Sequence, residues 1–131
     1  MNRIKDKIST IETYLGEFEN IIPSEIKDYK TDLVIKAAVE RYIEKIVEAL
    51  TDLSFLIIKE KKLKLPEDDI HAFKILFENK LIKEKLFINL KHAKGMRNII
   101  AHQYGDLDDN VIFDSLHELI KDSKQFIGEF K

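Results

Sequence analysis

The sequence predicts an all-α protein, an up-and-down bundle of about five helices that is expected to dimerise, and two observations carry the fold class. Only four Gly and two Pro occur among 131 residues that are 44% hydrophobic and 35% charged, a balance that suits a globular helical chain better than a disordered or β-rich one. Apolar residues also recur at steps of three and four along most of the chain, the spacing that puts them on one helix face. This length fits a single domain, residues 1–131, with enough chain to bury a core.

The first helix is expected over residues 2–20, where Ile4, Ile8, Ile11, Leu15, Phe18 and Ile22 form an apolar seam, and Pro23 marks its end. A second, the longest, spans about residues 31–61 and buries Ile35, Val39, Tyr42, Ile43, Ile46, Leu50, Leu53 and Ile57. Its opposite line, Arg41, Lys45, Glu48 and Asp52, is that of a solvated face laced with ion pairs one turn apart. Lys59, Lys61, Lys62 and Lys64 lead to Pro66, a boundary.

A short third helix starts near Glu67, whose neighbours Asp68 and Asp69 suit a helix N-terminus, and buries Ile70, Phe73, Phe77 and Leu76; His71 is read as a surface residue. The fourth, over residues 80–102, buries Ile82, Leu86, Leu90, Ala93 and Ile100. Gly95 inside it costs about 1 kcal/mol relative to Ala, which suggests a close approach of another backbone or a ligand. The fifth follows Gly105, is capped by Asp108, Asp109 or Asn110, and presents Ile112, Leu116, Leu119, Ile120, Phe126, Ile127 and Phe130.

A net charge of −2 argues against a protein that coats nucleic acid, so any RNA must be met locally. The absence of Cys excludes disulfides and thiolate metal sites. With neither a signal peptide nor a run long enough to span a bilayer, the expectation is a soluble cytoplasmic protein with no membrane partner. His92, His102 and His117 lack a recognisable metal spacing, so neither metal nor other cofactor is assigned.

Chemistry concentrates in residues 95–104, GMRNIIAHQY, which gather Arg97, Asn98, His102 and Tyr104. Arginine grips phosphate bidentately, and histidine exchanges protons near neutrality. Of the 22 Lys and Arg only three are Arg, at positions 3, 41 and 97, so arginine is used sparingly. Asn98 and His102 share a helix face, whereas Arg97 lies about 140° around from His102 at roughly 100° per residue. The two could serve one phosphate if the helix ends near His102, if Arg97 reaches back, or if a second copy of the chain completes the site. Neither residue is expected at the centre of an apolar stripe. The same residues also fit a salt-bridged arginine and a hydrogen-bonded histidine, and Tyr104 could simply cap the helix end. Charge is polarised across the segment: Lys80, Lys83, Lys85, Lys91, Lys94 and Arg97 against Glu84 before it, and Asp106, Asp108, Asp109, Asp114 and Glu118 after it. A basic helix of this kind can guide a polyanion or stay solvated.

RNIIAHQY resembles the RxxxxHxY signature of the HepT-like branch of the HEPN superfamily. The resemblance extends upstream through residues 37–53 and downstream through Gly105-Asp106-Leu107-Asp108, so it covers nearly the whole chain. It implies a single HEPN domain and a homodimeric, metal-independent endoribonuclease, the toxin of a toxin–antitoxin pair, with two motifs facing each other across a subunit cleft. His102 would move the proton of the RNA 2′-OH or of the leaving oxygen, Arg97 would stabilise phosphoryl charge, and Asn98 would orient either group. Arg41, Glu48 and Asp52 are implied as supports of the site or contacts between subunits. A nucleotidyltransferase antitoxin would transfer nucleotide to Tyr104 and silence the nuclease. The alternative is a catalytically inactive helical adaptor that binds RNA or nucleotide and partners the nucleotidyltransferase.

Overall fold

A computed structural model describes residues 3–102 and 108–131, and the described residues form six helices and no strand: α1 (Arg3–Ile21), α2 (Ile26–Thr31), α3 (Leu33–Glu60), α4 (Asp69–Glu78), α5 (Glu84–His102) and α6 (Asp109–Glu129). The five expected helices are present, and α2 is additional. Six residues are too few to display a helical period, and α2 is split from α3 by a single residue, Asp32. Its extended backbone (φ −97°, ψ 102°) breaks the helix while its carboxylate accepts from the N–H groups of Val34 and Ile35 at 3.0 and 3.2 Å. Asp32 therefore ends one helix and caps the next, satisfying amides that a bare N-terminus would leave unpaired.

The starts of α4 and α6 obey the same rule. Asp68 accepts from the His71 N–H at 2.8 Å, and Asp108 accepts from the Asn110 N–H at 2.9 Å. His71 joins this cap from the surface, its Nδ1 accepting from the Glu67 N–H at 2.9 Å. The ends of α3 and α4 depart from the usual glycine: Lys62 and Lys80 take left-handed φ of 54° and 62°. In each case the following leucine donates its N–H back across the turn, Leu63 to Ile58 at 3.0 Å and Leu81 to Leu76 at 2.9 Å. That turn at Lys80 is why α5 starts at Glu84, four residues later than the periodicity suggested.

Helix α3 is the axis of the bundle, packed by α1, α2, α4 and α5. Its buried face is wider than one stripe: besides Val39, Ile43, Ile46, Leu50, Leu53 and Ile57 it buries Val47, Ala49 and Ile58. Its buried hydroxyls return to the preceding turn, Thr51 to the Val47 carbonyl at 2.9 Å and Ser54 to the Leu50 carbonyl at 3.0 Å. Each fully buried Leu, Ile or Phe in this core contributes about 1.5–3 kcal/mol relative to exposure.

Polar ties fix the helix directions. Lys7 pairs with Asp52 at 3.4 Å and Tyr42 donates to Glu17 at 2.8 Å, so α1 runs antiparallel to α3. Glu19 meets Lys124 at 3.1 Å and Glu12 meets Lys131 at 2.7 Å, so α6 runs antiparallel to α1 and hence parallel to α3. Lys36 on α3, 2.9 Å from Asp109, fixes the start of α6. Asn89 donates to Glu118 at 3.3 Å and to Asp122 at 3.2 Å, a register that the short connection from His102 to Asp109 permits only if α5 is antiparallel to α6. Helices α5 and α3 are therefore antiparallel.

Candidate active site

The last two turns of α5 carry the residues singled out by their chemistry. Arg97 lies on the buried stripe of the helix, against the sequence expectation: Leu90 and Arg97 are about 20° apart on an ideal helix, and Leu86, Leu90 and Ile100 beside it are buried. Its side chain is only 18% exposed, and its guanidinium reaches the seam between α3 and α5, where Nη2 lies 3.7 Å from Glu48 Oε2. Nη1 lies 3.5 Å from Asn98 Oδ1. Nε is buried and finds no hydrogen-bond partner among the described residues. A desolvated cation with one unpaired donor is an anion-seeking group.

His102 is the last residue of α5 and is exposed, so the angular separation read from the sequence persists: arginine toward the seam, imidazole toward solvent. Tyr104 lies outside the described residues.

Of the polar line on α3, only Glu48 reaches Arg97. Asp52 pairs with Lys7, and Arg41 stands 3.9 Å from Glu44. Lys45 is held between two aromatic faces, its ammonium 4.4 Å from the Tyr14 ring centroid and 4.6 Å from that of Tyr42. Sequence reasoning missed that cage, because Tyr14 lies on another helix; the visible signal was Tyr42 one turn before Lys45.

Two expectations about α5 are corrected. Lys94 was grouped with cations that could guide a polyanion, yet it is buried and forms a 2.7 Å ion pair with Asp69 at the start of α4. It belongs to the inward face of α5 and pins that helix; Lys85 and Lys91 on α5, and Lys83 just before it, are exposed. Among the described residues no other backbone of this chain approaches Gly95, since a Cβ built there would meet nothing within 4 Å. Its site opens on a groove of about 1070 Å³ between α5 and α6, floored by Met96, Ile112 and Leu119. At one end of the groove, burial raises the Asp122 carboxyl above the usual carboxylate range, while the hydrogen bond from Asn89 acts in the opposite sense.

Among the described residues no group of three His, Asp or Glu is placed to hold a metal ion, and no helix is long and apolar enough to cross a membrane.

Comparison with known proteins gives concordant results. The family described as Ribonuclease HepT-like matches residues 11–130. The mRNA nuclease HepT of Shewanella oneidensis is 27% identical over 128 residues, covering 98% of this chain and 96% of the relative. The tRNA nuclease HepT of Aphanizomenon flos-aquae is 26% identical over 113 residues, covering 84% and 75% of the two chains. Among solved structures, the tri-AMPylated Shewanella oneidensis HEPN toxin in complex with MNT antitoxin superimposes with a TM-score of 0.92 at 27% identity, over 99% of this chain and 98% of that one.

Proposed function

This chain belongs to the HepT-like ribonuclease family, and from that premise we propose that it is a metal-independent endoribonuclease, the toxin of a toxin–antitoxin pair, acting as a homodimer. The observation that carries the reading is Arg97: a guanidinium held at the α3–α5 seam, with its Nε unpaired, five residues before the imidazole of His102.

In the proposed reaction the 2′-OH of RNA attacks the adjacent phosphorus while the bond to the 5′ oxygen breaks, leaving a 2′,3′-cyclic phosphate and a 5′-OH. One proton leaves the 2′-OH and one arrives on the 5′ oxygen. His102 takes one of these tasks, and His102 of the partner subunit the other. Arg97 neutralises the charge growing on the phosphoryl oxygens, which is worth most where water is excluded. Asn98 keeps its amide N–H groups for the phosphate or the imidazole while its oxygen faces Arg97. Glu48 supports Arg97 in the resting site. Being 54% exposed, it can rotate into water and yield the guanidinium to phosphate. Arg41 and Asp52, on the same helix face, are paired instead with Glu44 and Lys7.

Silencing follows from the same chemistry. The antitoxin fitting this reading is a nucleotidyltransferase that links a nucleotide to Tyr104, adding phosphate charge that competes for Arg97 and bulk that obstructs the cleft. One observation favours a second reading, a catalytically inactive RNA- or nucleotide-binding adaptor for that partner: Glu48 already occupies the arginine.

The deciding experiment is cleavage of single-stranded RNA by the purified protein, with and without EDTA, beside His102→Ala and with light scattering on the same sample. Cyclic-phosphate products that persist in EDTA, vanish in His102→Ala and come from a dimer are expected. Binding without cleavage would select the adaptor. Loss in EDTA with rescue by a divalent ion, or a strict monomer that cuts, would overturn the mechanism.

A further inference from the structure

The exposed ridge of α3 carries two cations that the proposed chemistry does not use, and helix geometry sets them at the axial level of the site. Arg41, Lys45 and Glu48 lie within about 60° of one another around the helix. Because α5 runs antiparallel to α3 and Arg97 meets Glu48, moving five residues along α5 to His102 advances about 7.5 Å toward the start of α3. Moving back along α3 from Glu48 advances about 4.5 Å to Lys45 and about 10.5 Å to Arg41 in the same direction. The two cations thus bracket the axial level of His102.

Each is fixed in a form that leaves its charge available. The Lys45 ammonium rests on two phenol faces, which restrict its swing without neutralising it, and Tyr42 is itself tied to Glu17 by a 2.8 Å hydrogen bond. The Arg41 side chain is 64% exposed and stands over a Glu44 side chain that is only 23% exposed, with their charged atoms 3.9 Å apart. That pair is long for a charge-assisted hydrogen bond. The cation is the outward member, so a phosphate meets Arg41 before it meets Glu44.

We propose that Arg41 and Lys45 form a backbone-phosphate subsite for single-stranded RNA, gripping phosphates next to the one held by Arg97. This rests on the nuclease reading. The subsite reads charge rather than sequence and would hold the strand in register beside His102. It also reconciles local RNA recognition with a net charge of −2, because a few fixed cations replace a basic surface.

The test uses the full chain carrying His102→Ala, so that RNA binds without being cut. Affinity for a fluorescein-labelled single-stranded RNA is measured by anisotropy across salt concentrations. Each lost phosphate contact should flatten the log–log salt dependence by about 0.7, so Arg41→Gln with Lys45→Gln should flatten it by about 1.4. Lys59→Gln and Lys74→Gln on other surfaces should leave it unchanged, and Lys45→Arg should restore the slope lost in Lys45→Gln. In the otherwise wild-type chain the same pair should raise KM at least tenfold, with the loss in kcat smaller than that in KM. Melting curves verify that the variants fold. An unchanged salt slope in folded variants would overturn the subsite while leaving the nuclease standing if the wild type still cuts. A shift in subunit dissociation without a change in slope would assign the ridge to a protein interface and overturn the subsite equally. A parent protein that neither binds nor cuts RNA would remove both readings.

Discussion

Arg97 and Glu48 meet across the α3–α5 seam with inverted exposures: the arginine side chain is 18% exposed and the carboxylate 54%. In most surface pairs the long cation is the mobile partner, whereas here it is set among buried aliphatic neighbours and the acid is free to leave. The two halves of the pair should therefore respond differently to removal. Glu48→Ala is expected to cost no more than about 1 kcal/mol of stability, the range of an exposed ion pair. Arg97→Ala, which also strips packing from the α5 stripe, should cost roughly 1–3 kcal/mol and at least 100-fold in cleavage rate. Urea unfolding beside single-turnover cleavage separates the two effects, and equal destabilisation by both substitutions would contradict the inverted burial.

The Lys94–Asp69 pair provides a second asymmetry, since the lysine is buried and the aspartate is partly in water. Asp69→Asn strands a buried ammonium, while Lys94→Met fills the same space without charge and leaves an acid that water can serve. Asp69→Asn should lower the urea midpoint clearly more than Lys94→Met. The reverse order would show that the pair is less desolvated than its geometry indicates.

Burial raises the Asp122 carboxyl, so the folded chain holds that proton more readily than the unfolded chain. The stability linked to this group is thus present below the ordinary carboxyl range and is lost as pH rises through the folded value, leaving a buried charge at neutrality. Asp122→Asn is expected to raise the melting temperature at pH 7 and to have little effect at pH 3.5. A variant that gained nothing at pH 7, or gained equally at both pH values, would remove Asp122 as a source of pH dependence.

Lys80 closes α4 with a φ of 62°, a conformation that glycine adopts without steric cost. Lys80→Gly should stabilise the protein by up to about 1 kcal/mol in chemical unfolding, because the relief of left-handed strain exceeds the added freedom of the unfolded chain. Destabilisation instead would mean that the lysine side chain makes a compensating contact.

With the cognate nucleotidyltransferase and labelled nucleotide, we expect incorporation into the wild type and none into Tyr104→Phe, whose cleavage should resist silencing. Equal labelling of Tyr104→Phe, or labelling mapped to Tyr14, Tyr29 or Tyr42, would reassign the acceptor. Tyr29 is a poor candidate because its side chain is fully buried.

Helix number and faces were largely legible because stripes such as Ile8, Ile11, Leu15 and Phe18 repeat over many turns, and a repeated period survives local noise. Helix α2 left no such signal, and the real start of α5 was hidden because a left-handed lysine looks like any other lysine in a sequence. The chemical character of residues 97–102 could be read directly from side-chain types. Which way each residue faced could not: Arg97 and Lys94 are cations on an inward stripe, and a pattern that counts charged residues as outward misplaces both. Their partners, Glu48 and Asp69, lie 49 and 25 positions away, beyond the reach of any local period.

Both polar ties that flank the segment between α5 and α6 end on the same helix, Arg97 on Glu48 and Asp109 on Lys36, so α3 works as a ruler with two marks about 18 Å apart. A ruler tolerates no change of length between its marks. Removing one residue from α3 between positions 36 and 48 would shift one mark by about 1.5 Å and rotate it by about 100°, carrying Lys36 or Glu48 off its partner. Engineered changes in chain length should therefore be rejected in the stretch of α3 between the two marks.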